Sequence, residues 1–256
     1  MLKVMMHGCN GRMGQMITQI LKSDTRMEIV AGVDRFQEIA NPYPVFERIG
    51  DCDVAVDVVI DFSTASAMDA VFDYCVCKQL PLVMCTTGLS DVQLQKLEES
   101  AKEIPVLKSA NMSLGINLLL KLLQDAAKVL GPAGYDIELI ERHHNQKIDA
   151  PSGTALALAD AINDILQHTY HYVYDRSQTR EKRDAKEIGI SVLRGGTIVG
   201  EHEVVFAGMD EVIAFQHTAY SRSVFAKGAV EAAHFLVGKK PGLYGMCDVI
   251  GSEFDR

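Results

Sequence analysis

The sequence predicts an α/β protein that begins with a parallel sheet covered by helices on both faces. Three observations carry this. Short apolar runs alternate with amphipathic stretches in the first part of the chain, the pattern of repeated βαβ units. Several of those runs are continuously apolar, as strands buried on both faces are. Beyond Ser109 the texture changes to a Leu-rich helix followed by strands joined through glycine turns.

In the first part, Leu2–Met6, Ile29–Val33, Val54–Phe62, Leu82–Cys85 and Val106–Lys108 read as strands. Met13, Met16, Ile17, Ile20 and Leu21 share one face of a helix, and Val92 to Ala101 forms another after a Ser90-Asp91 start signal. Further on, a helix from Ile116 to Leu130 stops at Gly131-Pro132, and a strand follows from Asp136 to Glu141. The next helix starts at Pro151-Ser152, with Ala155, Leu158, Ala159 and Ile162 on one face. Thr169 to Glu187 is polar and reads as a loop. Ile188–Arg194, Glu203–Ala207 and Val212–Ala219 are consecutive strands, and a helix from Ser223 to Leu236 comes last.

Composition narrows the function classes. A hydrophobic fraction of 48% and a charged fraction of 23% across 256 residues describe a globular chain, not a disordered one. The formal net charge of -9 offers no basic field, so no nucleic-acid partner is expected. Asp57 and Asp61 interrupt the best apolar run, so no membrane span is expected either. The six cysteines form no CxxC pair, and the N-terminus has no signal-peptide pattern, which together predict a cytoplasmic protein with free thiols.

Gly8-Cys9-Asn10-Gly11-Arg12-Met13-Gly14 sits directly after the first strand and opens the first helix. Glycines there permit a tight turn and bring backbone amides close to a pyrophosphate, whose charge a helix N-terminus favours. The spacing is GxxGxxG rather than the commoner GxGxxG, and a purely structural turn would look similar. Asp34 ends the second strand, where an acidic residue binds an adenosine ribose, and Arg35 follows it. A carboxylate favours the ribose diol of NADH and a guanidinium the 2′-phosphate of NADPH, so the pair admits both. A solvated charge pair is the plainer alternative.

The densest chemistry lies between Glu141 and Ala155, in Glu-Arg-His-His-Asn-Gln-Lys-Ile-Asp-Ala-Pro-Ser-Gly-Thr-Ala. Ser152, Gly153 and Thr154 open a helix and are expected to offer unpaired amides and two hydroxyls to a carboxylate. Lys147 adds positive charge, and a histidine can donate a proton near neutral pH. His143 and His144 are alternatively metal ligands, but no Cys, Asp or Glu stands at metal-site spacing, so no metal is expected.

With these motifs the chain resembles the 4-hydroxy-tetrahydrodipicolinate reductase (dihydrodipicolinate reductase) family over essentially its whole length. The resemblance rests on Gly8 to Gly14, Asp61-Phe62-Ser63, Thr86-Thr87-Gly88, Ala110-Asn111-Met112-Ser113 and His143 to Ala155. Arg194-Gly195-Gly196, Gly200-Glu201-His202 and His217 to Arg222 extend it. It implies a Rossmann dinucleotide-binding domain over 1–112, an α+β substrate and oligomerisation domain with a mixed sheet over 113–220, and a C-terminal segment, 221–256, that returns to the first domain. A homotetramer built through the central sheets is also implied.

The activity implied is reduction of a cyclic imine dicarboxylate by NADH or NADPH in diaminopimelate and lysine biosynthesis. His143 is the implied proton donor, with Lys147 sharing the acid role. Thr87, His144, Lys147, Ser152, Gly153 and Thr154 would hold the substrate carboxylates. Gly8, Asn10, Gly11, Arg12, Met13, Asp34, Arg35, Phe62, Ser63, Cys85, Thr87, Gly88, Ala110, Asn111, Met112, Arg222 and Phe225 would surround the cofactor. Cys85 departs from the family, which has glycine there. Two other readings stay open on the residues alone: a dehydrogenase of another small imino or keto acid, and a non-catalytic dinucleotide sensor.

Overall fold

The computed structural model describes residues 1–109, 111–177 and 179–254. Two compact units emerge, Met1–Leu114 with Ser223–Arg256, and Gly115–Arg222.

The first unit is built on seven strands: β1 (Leu2–His7), β2 (Met27–Val33), β3 (Val45–Phe46), β4 (Val58–Asp61), β5 (Leu82–Met84), β6 (Pro105–Lys108) and β12 (Gly242–Tyr244). Their order across the sheet is β12-β6-β5-β4-β1-β2-β3, every pairing parallel. Strand order reverses between β1 and β4, and in such sheets a ligand crevice lies beyond the C-terminal strand ends at that point. Val58, Val59 and Ile60 on β4 and Leu82 and Val83 on β5 are wholly buried, because both faces are covered. One face carries α1 (Arg12–Leu21), α6 (Ser223–Leu236) and α7 (Met246–Phe254), whose Ile17, Ala229, Ala233 and Val249 share a core with Val4, Met6 and Ile60. On the other face, α2 (Met68–Lys78) and α3 (Asp91–Glu103) bring Val71, Phe72 and Leu97 against Met5, Val59 and Met84. The Ser90 side chain and Gln93 form a reciprocal cap at the start of α3, as the Ser90-Asp91 signal predicts.

The second unit contains α4 (Leu114–Leu130), β7 (Asp136–His143), α5 (Gly153–Ile165), β8 (His171–Val173), β9 (Glu187–Arg194), β10 (Gly200–Ala207) and β11 (Val212–Ala219). Its sheet runs β11-β10-β7-β9-β8 and is mixed: β10 is antiparallel to β7 and β11, whereas β9 is parallel to β7 and β8. On β7 every second residue is buried, with Ile137 and Leu139 in the core and Glu141 and His143 continuing on the same face. That alternation places two ionisable side chains on the covered side of a sheet, near helix α5.

Several element expectations need correction. The strand expected over Val54–Phe62 is confined to Val58–Asp61. Asp57 stops it from beginning earlier, because its amide donates to the Lys3 carbonyl and its carboxylate accepts the Lys3 amide at 2.7 Å. The loop expected over Thr169–Glu187 contains β8, too short to show a period of its own and held by pairing with β9. Elements β3, α2, β12 and α7 were not expected at all. In α2, Met68, Val71, Phe72 and Cys75 do follow helical spacing, but no side chain caps its N-terminus.

Candidate active site

In the first unit, Asp61 ties together the C-terminal ends of three neighbouring strands. Its fully buried carboxylate meets Nδ1 of His7 on β1 at 2.6 Å and accepts the hydroxyls of Ser63 and Thr86, each at 2.6 Å. The Thr86 hydroxyl oxygen in turn accepts the Ser63 amide at 3.1 Å. The loops that follow β4 and β5 are thereby fixed by charge-assisted hydrogen bonds away from water.

Above this knot lies a cleft of about 1240 Å³. Gly8, Asn10, Gly11, Asp34 and Arg35 line it on one side, with Phe62 and Ser63 on the other. Gly8 has φ +79°, and a Cβ placed on it would come within 2.4 Å of the Phe62 carbonyl oxygen. Only glycine fits a backbone in that conformation so close to the next loop. The volume, the glycine turn and the acidic residue after β2 suit a dinucleotide. Asp34 does more than the sequence indicated: one carboxylate oxygen accepts the Asn10 amide at 2.9 Å and the other the Phe36 amide at 3.0 Å. It therefore shapes the glycine loop as well as facing the cleft, while Arg35 is exposed at the rim.

Other expected cofactor residues sit outside that cleft wall. Arg12 is exposed at the start of α1, and Met13 packs its side chain against the core. Thr87 and Gly88 are exposed in the loop after β5. Cys85 has no positive φ, and its thiol packs against the core shared by β1, β4 and α6. Burial pushes that thiol's pKa up, with the Asp61 charge adding to it. Met112 is buried and Asn111 half-buried ahead of α4, whereas Ala110 falls outside the described residues. Phe225 packs in the first turn of α6, and Arg222 is exposed just before it.

The second unit gathers the ionisable residues of the His-rich segment. Glu141 is fully buried and accepts from Nδ1 of His143, from the Arg194 guanidinium at 2.8 Å and from the Ser152 amide at 3.0 Å. Burial alone would raise its pKa, yet hydrogen bonds from His143, Arg194 and Ser152 outweigh burial and bring it down to about 2. His202 on β10 meets the His143 ring edge-on, with centroids 5.1 Å apart, and its Nε2 lies 3.2 Å from the Ser152 hydroxyl. Burial, reinforced by the nearby His143 ring, lowers His202 to about 4, so it is neutral at physiological pH.

Ser152 departs from expectation. Its amide is engaged by Glu141, and its hydroxyl oxygen caps α5 by accepting the Ala155 amide at 3.1 Å. It is buried and braces the site, while Gly153 stands exposed at the helix start. Lys147 is paired with Asp149 at 2.7 Å. The Asp149 carboxyl is held below its usual range by Lys147 first, with a contribution from the Gly153 amide. A carboxylate of the chain itself therefore lies where lysine and a helix N-terminus converge, and His144 is half-buried beside this loop.

Glu141, His143 and His202 also bring potential metal-ligand atoms within 4.8 Å of one another, a grouping that linear spacing did not predict. Arg194 and the Ser152 amide already engage Oε1 of Glu141 and His143 engages Oε2, which leaves no uncommitted carboxylate oxygen for a metal ion. Glu141, Arg194 and His202 had no role assigned from sequence. The available signal was the i, i+2 relation of Glu141 and His143 on a strand, which puts both on one face.

Comparison with known proteins decides the family. Residues 2–112 match the family described as dihydrodipicolinate reductase, N-terminus, and residues 115–250 match dihydrodipicolinate reductase, C-terminus. The chain belongs to the dihydrodipicolinate reductase family. It is 50% identical to the 4-hydroxy-tetrahydrodipicolinate reductase of Caldanaerobacter subterraneus over 98% of both chains. Identity to the Clostridium novyi enzyme of the same name is also 50%, over 99% of this chain and all of that one. The dipicolinate-bound dihydrodipicolinate reductase from Paenisporosarcina sp. TG-14 superposes with a TM-score of 0.82 at 25% identity, covering 97% of this chain and 99% of that one. Family membership makes the chain an oxidoreductase of the lysine and diaminopimelate pathway, working with a pyridine nucleotide on a small molecule. Among the described residues no helix is long and apolar enough to cross a membrane.

Proposed function

We propose that the chain reduces 4-hydroxy-tetrahydrodipicolinate, through dihydrodipicolinate, to tetrahydrodipicolinate, with His143 as proton donor and with either NADH or NADPH. The observation that carries the residue assignment is the pairing of His143 with the buried Glu141 beside Lys147 and the start of α5.

The bound nucleotide supplies the hydride. Gly8, Asn10, Gly11, Phe62 and Ser63 would hold it in the cleft, with Asp34 facing the ribose and Arg35 available to a 2′-phosphate. Thr87, Gly88, Cys85, Asn111 and Met112 follow the strand ends next to that cleft, and Arg12, Met13, Arg222 and Phe225 complete the cofactor set. On the substrate side, Lys147, His144, Gly153 and Thr154 would bind the carboxylates, while Ser152 braces the start of α5. Preorganised donors replace water there without reorganising during the reaction. Hydride addition to a conjugated imine leaves an enamine-like anion, which His143 protonates, assisted by Lys147.

We also infer a cytoplasmic homotetramer. Free thiols at all six cysteines suit a reducing compartment. The eight-residue edge strand β11, with Val212 62% exposed, is the kind of surface that assembly covers. Sedimentation velocity tests the assembly directly.

The activity test supplies aspartate semialdehyde, pyruvate and the upstream synthase and follows NADH and NADPH absorbance. The wild-type chain should consume both. His143→Ala should lower kcat by about 10²–10⁴-fold with little change in nucleotide affinity, and Lys147→Ala should impair both kcat and substrate KM. Near-normal kinetics in both variants would remove this loop from the chemistry.

A further inference from the structure

Glu141 carries no assigned role, yet three groups of the second unit donate to its carboxylate. Its side chain is wholly buried, and both carboxylate oxygens are occupied. Oε2 accepts from Nδ1 of His143, and Oε1 accepts from Arg194 and from the Ser152 amide. An ionised carboxylate can only accept, so Nδ1 of His143 must carry a proton in both the neutral and the charged ring. Nε2 is then the nitrogen that gains and loses the working proton.

The surroundings of the ring agree with this division of labour. A Cβ on Gly200 would come within 3.1 Å of His143 Nε2, so glycine at that point of β10 keeps the Nε2 side of the ring clear. The charged and titratable groups around the ring come from each packed strand. Glu141 lies on β7 itself, Arg194 is the register partner of His143 on β9, and His202 lies on β10. Lys147 follows in the loop after β7 and, with Glu141 and His217, acts on His202. Burial keeps His202 uncharged, so the imidazolium has a neutral neighbour rather than a second positive charge.

We propose that Glu141 is the positioning residue of the proton donor: it fixes the His143 tautomer, leaves Nε2 as the nitrogen that carries the working proton and stabilises the imidazolium that donates. The proposal rests on the reading of His143 as donor and deepens it. In the step itself, the Nε2–H bond breaks and a bond from that proton to the anionic centre of the reduced substrate forms, using the anion's electron pair. His143 is left neutral with Nδ1–H still directed to Glu141, and solvent water restores the proton to Nε2. Glu141 neither gains nor loses a proton.

The test is the pH dependence of kcat for the full-length enzyme and its Glu141→Gln and His143→Ala variants. Glu141→Gln should lower kcat by about 10²-fold or more, leave the nucleotide KM within about twofold, and move the alkaline limb of the profile about one unit or more to lower pH. A purely structural carboxylate would not move that limb. Combining Glu141→Gln with His143→Ala should cost little beyond His143→Ala alone, because the two act as a unit. If His143→Ala is crippled while Glu141→Gln keeps its kcat within a few-fold and its limb in place, the positioning role is overturned and the donor assignment stands. If His143→Ala turns over normally, the donor assignment fails, and this proposal fails with it.

A second measurement needs no variant at Glu141 to fold. Nitrogen-15 spectra of histidine-labelled wild-type enzyme, with His143 assigned by the signal missing in His143→Ala, should show the neutral ring protonated at Nδ1. The Nε2–H tautomer would overturn the proposal.

Discussion

Helix α6 runs so close to the segment before α4 that a Cβ on Gly228 would lie 1.6 Å from the Met112 carbonyl oxygen. No shift of a flexible side chain can relieve that contact, since the opposing atom is backbone. Gly228→Ala must push the helix and the 111–113 segment apart, and overpacking of this kind costs roughly 1–3 kcal/mol or more. Urea titration should show the loss as a lower midpoint with an unchanged slope. Because Met112 belongs to the proposed cofactor set, the nucleotide KM should rise with it. A midpoint equal to wild type would mean that the close approach carries no energetic weight.

Arg35 is exposed at the cleft rim next to Asp34, whose oxygens already hold the Asn10 and Phe36 amides. The carboxylate is thus a fixture of the loop, and the guanidinium is the group placed to offset a 2′-phosphate. Charge-assisted hydrogen bonds contribute about 1.5–3 kcal/mol, and exposure puts this one at the low end. Arg35→Ala should therefore raise the KM for NADPH about tenfold and leave NADH nearly unchanged. Equal losses with the two nucleotides would defeat the assignment.

Asp149 competes for the positive groups that a substrate carboxylate would use, namely Lys147 and the Gly153 amide. A partly exposed ion pair is worth roughly 1 kcal/mol or less. Asp149→Asn should accordingly lower the substrate KM of the proposed reaction about two- to fivefold. A higher KM would show instead that Asp149 orders the loop for the substrate.

Acid should destabilise the protein in two separate windows. His202 titrates near 6.5 when unfolded but near 4 when folded, so below pH 6.5 the unfolded state binds the extra proton and stability falls. The expected loss is about 2 kcal/mol by pH 5. His217, also lowered by burial, adds in the same direction. Glu141 acts lower down: its contribution is intact above the ordinary carboxyl value of 4.5 and is lost as pH falls toward about 2. Denaturant midpoints for wild type and His202→Asn between pH 7 and 5 separate the windows. A variant that loses as much stability as wild type over that range would contradict the assignment to His202.

Much of this architecture is legible in local pattern. The buried strands β4 and β5 are continuous apolar runs, and the glycine turn after β1 is visible because one backbone conformation and one close contact demand it. The His-rich segment is legible as a concentration of chemistry but not as a wiring diagram. That Ser152 spends its amide on Glu141 depends on a contact eleven residues away across a turn, and that Arg194 joins them depends on the register of β9 with β7. Short edge strands such as β8 and β12 are set by their neighbours rather than by any period of their own. Cys85 depends on its backbone: without a positive φ, a side chain can stand in place of glycine there, and its partly buried side chain packs against the core.

The chain closes its first core with its last helices. Ala226, Ala229, Ala233 and Leu236 of α6 and Met246 and Val249 of α7 bury against Val4, Met6, Ile17 and Ile60, strands and helix made at the very start. During synthesis at about 5–20 residues per second, the strands made within the first 114 residues therefore wait roughly 5–25 s with α1 alone covering this apolar face. A ribosome stalled in the second unit holds a sheet whose α6 and α7 face is incomplete, and a premature stop before α6 yields a chain that cannot complete it.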